Sequence, residues 1–597
     1  MKLGRRDWLA LGGIIGLAVG LPVVLGLASH ALDIPHNDDF DYRQVALGLW
    51  STGTLEMRGF SVMSLIGQIL FVQPFLWLSG GAPWAFAAAT AVLTVAGLVS
   101  AYVLIRRVLD TGRTALALLA AVFVPGFLVN TTSFMTDLPA FASSLVCLAL
   151  GAAAVRADGT ISWRLLVASL VVGCFGVSIR ESTLAAPMAV VVVAALADRR
   201  GPDRAVAAGI GLLVAAAAIH FGAAAIPAQG SARFDPGPGL QRLRLAFQTL
   251  ALCLSPALVV AIAWWRSRWR VVDVLPGLIA GLAIAWPSVN ALAKTGRLPP
   301  MLIGNLFTSI GPDGGGALAG GRPGLYPIEV WTGVQVAAFI ATIFLPGVTT
   351  GIIGSTVRQG GLTLARIRGW SRSAASVLVA FALFTTVGLA LYGWAYTMFD
   401  RYLWPLVLVG SALLLVRPAS VAEATADPEE AGPEAPGAVT GTADAGGESA
   451  PGPAPISPPP PRRLHPAPWF AGALLVALGG LSLVHLLASN AFSAGRWAFG
   501  ERALAMGIPA GHVDAGMEWV GYYATGDAKV FGGAPKGQMW YTGWWPSFRQ
   551  CAVVTSSQIT RPGYEIVFAD PSAYRQYQIA GPALPLFLYR VNVPSCP

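Results

Sequence analysis

Apolar residues in this chain are gathered into long uncharged runs that recur from one end to the other. They lie near residues 8–29, 84–105, 114–130, 138–155, 165–179, 184–197, 205–226, 245–265, 274–292, 330–352, 373–396, 402–416 and 467–488. A helix of ~20 such residues crosses a hydrocarbon core of ~30 Å. The pattern therefore predicts an all-α polytopic membrane protein with about 13 transmembrane helices. Lys2, Arg5 and Arg6 precede the first run, as in a signal peptide. Its apolar part is longer than a signal peptide's and twelve more runs follow, so it is read as a retained helix.

One further apolar stretch, Phe60 to Leu78, is settled by charge. With it left out, the loops on the N-terminal side carry 21 Lys and Arg, against ten on the other side before residue 489. Among the 21 are Arg106, Arg107, Arg199, Arg200, Arg266, Arg268, Arg270 and Arg358. The positive-inside rule then puts the N-terminus in the cytoplasm. Counting 60–78 as a span would invert every later loop, so it is expected to lie at the outer interface or to re-enter without crossing.

The transmembrane module is expected to cover residues 1–417, with outer-face juxtamembrane helices within 30–80. Residues 418–465 (AEATADPEEAGPEAPG and onward to PPPP) hold almost no aliphatic or aromatic side chains and read as a disordered cytoplasmic tether. The last span occupies 466–488. Beyond it, 489–597 changes character: AFSAGRWAFGERALAMGI has helical periodicity, whereas CAVVTSS, YEIVFAD and LPLFLYRVNV are short β-type runs. A small α/β domain outside the membrane is predicted. Of the five cysteines, Cys147, Cys174 and Cys253 fall inside spans, and Cys551 and Cys596 fall in the outer domain. Disulfides persist outside the cytoplasm, so these two are expected to pair.

Composition sharpens this picture. The 597 residues are 55% hydrophobic and 12% charged, which excludes an ordinary soluble protein. The net charge of +9 would by itself suggest nucleic acid, but much of it is the arginine excess on the N-terminal side. No HExxH, paired CxxC or P-loop is present. His36 and His512 are isolated histidines, expected at a polar surface or packed rather than as ligands.

Charge near a membrane is costly, so the acids and arginines at the outer ends of spans carry weight. The densest set is His36-Asn37-Asp38-Asp39-Phe40-Asp41-Tyr42-Arg43, after the first span. Three crowded carboxylates should raise at least one pKa unless a cation sits among them; a solvated acidic loop is the plainer reading. Asp137 opens the fourth span, Arg180-Glu181 closes the fifth, and Asp400-Arg401-Tyr402 opens the twelfth. Asp137 is followed by Pro139 and also suits a helix N-cap. Carboxylates and arginines converging on one face suit a lipid-phosphate donor and a hydroxyl acceptor.

At these residues the chain resembles the GT-C integral membrane glycosyltransferases, in particular the protein O-mannosyltransferase and lipid A aminoarabinose transferase group. NDDFDYRQVALGLWSTGTL is similar to the family's acidic first loop, and FSVMSLIGQILFVQPFLWLSG to its second juxtamembrane helix. TDLPAFASSLVCLAL and DRYLWPLVLVGSALLL resemble its fourth and late spans. The resemblance implies an inverting transfer of a sugar from a polyprenyl phosphate to an acceptor hydroxyl on a glycan, lipid or protein. Asp38 then matches the catalytic aspartate and Asp39 the adjacent acid, and Asp137 would orient the acceptor or the first loop. Arg180, Arg401 and Tyr402 would meet the donor phosphate. Asp41 matches no family acid and is expected to be solvated or paired with Arg43. A divalent metal is required by some relatives only; Asp38, Asp39 and Asp137 would hold one if they converged. The competing readings are a transporter or lipid flippase and a non-catalytic envelope scaffold. Transporters place ionisable residues at mid-membrane in matched halves, and the spans here lack such acids.

Overall fold

The computed structural model describes residues 3–198, 200–226, 234–296, 302–305, 307–309, 318–321, 324–358, 370–416, 467–530, 534, 538–592 and 596. The tether at 418–465 lies outside the described residues, as do Lys2, Arg199, Arg366, Arg368 and Arg417 of the basic loops. Among the described residues, nine helices are long and apolar enough to cross a membrane: Arg5–Ala28, Trp84–Ile105, Asp137–Ala154, Asp203–Ala224, Gly239–Arg268, Val271–Thr295, Ile328–Arg358, Ala374–Ala395 and Ala467–Ala505. The chain is a multi-pass membrane protein.

Four expected spans fold as shorter helices: Thr111–Val122, Trp163–Ile179, Ala185–Ala197 and Trp404–Leu414. The run at 114–130 is cut after Val122 because Pro125 cannot continue the ladder and Gly126 turns left-handed (φ 94°). A separate turn, Phe127–Asn130, follows. The stretch at 60–78 forms one 14-residue helix, Ile66–Ser79. At 1.5 Å per residue it is about 21 Å long, no shorter than the helices at 111–122, 185–197 and 404–414, so charge rather than length sets it apart from the spans.

The largest apolar cluster joins the first helix to 84–105, 111–122, 137–154, 185–197, 239–265 and 404–414. A second, in the C-terminal part, centres on Trp497, Trp519, Val554, Leu586 and Leu588. It backs a four-stranded sheet of order β1-β2-β4-β3, with β1 Val513–Asp514, β2 Ala552–Thr555, β3 Tyr564–Tyr577 and β4 Ala580–Val591. β1 runs parallel to β2, and the other pairs are antiparallel. Strands β3 and β4 outrun the β-type sequence because the register shifts between Asp570 and Tyr574, which accommodates Pro571 in the edge strand. A disulfide joins Cys551 to Cys596, with Cα atoms 5.4 Å apart.

The expected boundary at 488/489 does not interrupt the backbone. One 39-residue helix, Ala467–Ala505, is both the last apolar span and the first element of the C-terminal domain. It ends at Gly507 in a left-handed conformation (φ 85°), where Ile508 N–H returns to Ala503 O at 3.1 Å. Nothing between 488 and 491 breaks helical propensity, and the composition changes before the helix stops.

Candidate functional site

The first loop folds as a helix, Asp39–Thr52, entered through a sharp turn at Asn37 (φ 54°). Asp38 stands at the N-cap position, yet its side chain accepts no cap hydrogen bond. Its Oδ2 instead faces Arg401 Nη2 at 3.4 Å, with 22% of the side chain exposed. Burial raises the Asp38 pKa; the Arg401 charge opposes this and the Asp137 charge adds to it.

Arg401 is buried and its fork is divided three ways. Nη2 meets Asp38, Nε meets Asp137 Oδ2 at 3.2 Å, and Nη1 donates to Asn305 Oδ1 at 2.6 Å. Asp137 pairs through its other oxygen with Arg180, which also donates to Thr136 Oγ1 at 3.3 Å. The result is a ladder of alternating charge, Asp38–Arg401–Asp137–Arg180. Residues at positions 38, 137, 180 and 401 are thus brought together. The N-cap of the helix opened by Asp137 is Thr136, so Asp137 bridges two guanidiniums rather than capping. Tyr402 lies with its ring 4.3 Å from the Arg180 guanidinium, a cation–π support beneath the arginine.

Three members of the ladder, Asp137, Arg180 and Arg401, border a cavity of about 600 Å³, and Asp38 reaches it only through Arg401. Asp137, Arg180, Glu181, Arg401 and Tyr402 form its polar end, and Leu213, Phe381, Phe384, Val387 and Leu389 line much of the rest. An anion with an apolar tail fits this division: guanidinium forks match phosphate oxygens, and the aliphatic and aromatic wall accepts hydrocarbon.

The remaining first-loop acids make other contacts. Asp39 is fully buried: Oδ2 pairs with Arg43 at 3.1 Å and accepts Phe134 N–H at 2.9 Å, while Oδ1 accepts His36 N–H at 2.7 Å. Burial pushes its pKa up to about 6. It does not join the ladder. Asp41 is neither solvated nor paired with Arg43. It is buried and accepts the Ser61 hydroxyl, because Arg43 one helical turn along is taken by Asp39. Burial raises Asp41 to about 6 as well. His36 is packed, its ring nitrogen 3.3 Å from Ala31 O, and burial lowers its pKa to about 4. Asp38, Asp39 and Asp137 do not converge on one point, and no group of three His, Cys, Asp or Glu among the described residues has metal-binding geometry.

Several contributors were invisible in sequence. Asn305 reaches the site from the segment after the helix Val271–Thr295 and accepts from both Arg401 and Asn37 Nδ2 (3.4 Å). That segment is pinned on either side: Ile303 N–H binds Thr249 Oγ1 at 2.9 Å, and Phe307 N–H binds Asp400 Oδ2 at 2.5 Å. From the C-terminal domain, Glu518 accepts Asn37 N–H at 3.3 Å, and Tyr522 O accepts Gln44 Nε2 at 3.2 Å. Phe40 is sunk between Met517, Val520 and Trp545; a side chain at Gly521 would collide with its ring. Glu181, at the cavity rim, accepts Ser64 Oγ at 2.6 Å. The only sequence signal was the polarity of Asn305 and Glu518 in apolar surroundings, which does not say where they go.

No protein-family model and no curated protein matches this chain. Two solved structures are similar to it, both of ArnT from Cupriavidus metallidurans. The one bound to undecaprenyl phosphate has 12% identity and a TM-score of 0.30, covering 69% of this chain and 78% of that one. The apo form has 14% identity and a TM-score of 0.31, covering 69% and 77%.

Proposed function

We propose that the chain is an inverting glycosyltransferase that moves a sugar from a polyprenyl-phosphate donor to an acceptor hydroxyl, with Asp38 as general base. The observation that carries this is the Arg401–Asp137–Arg180 part of the ladder at the polar end of a largely apolar cavity, with Asp38 joined to it through Arg401. The lipid tail lies along the apolar wall and the donor phosphate meets Arg180 and Arg401, with Tyr402 holding the Arg180 plane. Asp38 takes the proton of the acceptor hydroxyl as that oxygen bonds to the anomeric carbon. The bond from that carbon to the phosphate oxygen breaks, and its electron pair leaves on the polyprenyl phosphate. A carboxylate with a raised pKa is a better base than an ordinary aspartate, while Arg401 keeps it ionised.

In this reading Asp137 keeps the two arginines apart and in register, and Asp39 shapes the first loop through Arg43. The N-terminus is cytoplasmic, thirteen segments cross or enter the bilayer, and the C-terminal domain and site lie on the outer face. The arginine distribution supports that orientation.

The test is transfer from a panel of radiolabelled polyprenyl-phosphate sugars into an envelope extract. Wild type should transfer one of them, and Asp38→Asn should lose at least about 10²-fold, the low end for a general base. Wild-type rates in Asp38→Asn would remove Asp38 as base. Absence of transfer by the wild type with every donor, together with exchange of labelled lipid across vesicles, would favour the flippase reading.

A further inference from the structure

The turn joining β3 to β4 carries an exposed apolar tip: Ile579 is 72% exposed, and Ala580, Gly581, Pro582 and Ala583 are exposed with it. No charged residue occurs between Arg575 and Arg590. Three consecutive residues on the approach to the tip are fastened to other parts of the chain. Gln576 Nε2 donates to Gly324 O at 2.8 Å, Tyr577 OH to Leu325 O at 3.0 Å, and Gln578 Nε2 to Leu25 O at 2.9 Å. The last of these fixes the height of the tip. Leu25 belongs to the last turn of the first apolar helix, Arg5–Ala28, whose final carbonyls have no partner within the helix. Its neighbours Val24 and Leu27 are 62% and 59% exposed, a lipid-facing surface on a membrane span.

We infer that the β3–β4 tip is seated in the bilayer, in the leaflet on the side of the site, with Ile579 among the lipid chains. An uncharged apolar turn hydrogen-bonded to a span beside Val24 and Leu27 continues the lipid-facing surface of that span. Water at this height would leave Ile579 exposed without compensation, whereas the boundary of the acyl region accepts it. Arg575, exposed on the strand below, can reach lipid phosphates. The partner is lipid, and the seat ties the C-terminal domain to the membrane at a second point besides the helix Ala467–Ala505. This inference depends on the chain spanning a bilayer and not on the proposed chemistry.

The experiment uses the full chain in nanodiscs of phosphatidylcholine and phosphatidylglycerol. Cys147, Cys174 and Cys253 are replaced by alanine, and Ile579→Cys or Ala583→Cys is labelled with an environment-sensitive fluorophore. Glu565→Cys, near the far end of β3, is the control. Labels at 579 and 583 should emit at shorter wavelength than at 565. Lipids carrying a nitroxide high on the acyl chain should quench them at least twofold, without quenching the control. Emission at 579 and 583 matching the control, with quenching only by aqueous iodide, would overturn the inference. So would blue-shifted emission that acyl nitroxides leave unquenched, since that marks a protein contact.

Discussion

The Arg496–Glu518 pair holds the C-terminal domain over the first loop, and removing one partner should be far worse than removing both. The two side chains are 1% and 2% exposed and meet at 2.6 Å. Glu518 also receives the Asn37 N–H, next to Asp38. Glu518→Leu leaves the Arg496 guanidinium buried without its carboxylate, which costs ~3–5 kcal/mol. The lost hydrogen bond to Asn37 adds ~1 kcal/mol. At the ~2–4 °C per kcal/mol of a cooperative unit of about 150–250 residues, the transition of the C-terminal domain with its helix should fall by roughly 8–24 °C. Arg496→Leu should cost a similar amount. The double variant replaces the pair by apolar groups of comparable size and should recover most of the loss, because well-packed replacements are near neutral. Tryptophan fluorescence during a thermal scan at fixed rate in one detergent reads the change, as Trp497 and Trp519 meet edge to face with ring centroids 4.7 Å apart in the same core. Single variants within about 2–3 °C of wild type, a loss of about 1 kcal/mol, would refute a buried pair. So would single losses that simply add in the double variant.

Two other predictions concern the first loop and the ladder. Arg401→Lys keeps the charge but cannot reach Asp38, Asp137 and Asn305 together; losing one or two charge-assisted hydrogen bonds at ~1.5–3 kcal/mol each should lower kcat/KM by roughly 10–10⁴-fold and move the acid limb of the pH profile upward. An unchanged acid limb would mean that Arg401 does not tune Asp38. For Asp41, the folded pKa of about 6 lies above the unfolded ~3.9. Its stability contribution is therefore fully present below about pH 4 and is lost as pH rises through 6. Asp41→Asn should gain on wild type by up to about 3 kcal/mol between pH 4 and 7.5, and denaturation midpoints at both pH values check the sign. Asp39 titrates in the same window in both proteins and cancels in the comparison.

The long apolar runs and the arginine count were enough to read a multi-pass membrane chain, since the bilayer imposes a length and a composition on each span. The short helices at 111–122 and 404–414 were less legible, because hydropathy does not register where Pro125 or Pro405 limits a ladder. Within the site, residue type was informative and partnership was not. Asp38, Asp137, Arg180 and Arg401 stand out by charge in apolar surroundings, yet Asp38 and Arg401 are 363 positions apart and no local spacing encodes their contact. The same limit explains the misreading of Asp41. Arg43 lies within reach of both Asp39 and Asp41 in sequence, and only the fold assigns it to Asp39. Asn305 carries no charge and sits in no motif, so only geometry finds it.

The unbroken helix Ala467–Ala505 makes the C-terminal domain a mast stepped in the bilayer. At 1.5 Å per residue its 39 residues span about 58 Å, so a tilt of ~5° at the base carries the top roughly 5 Å sideways. Spans tilt to match the thickness of the surrounding lipid. Arg496 stands near the top, and through Glu518 its displacement reaches Asn37, beside Asp38. A change in thickness that tilts this helix would therefore load the Asn37–Glu518 hydrogen bond, one residue from Asp38.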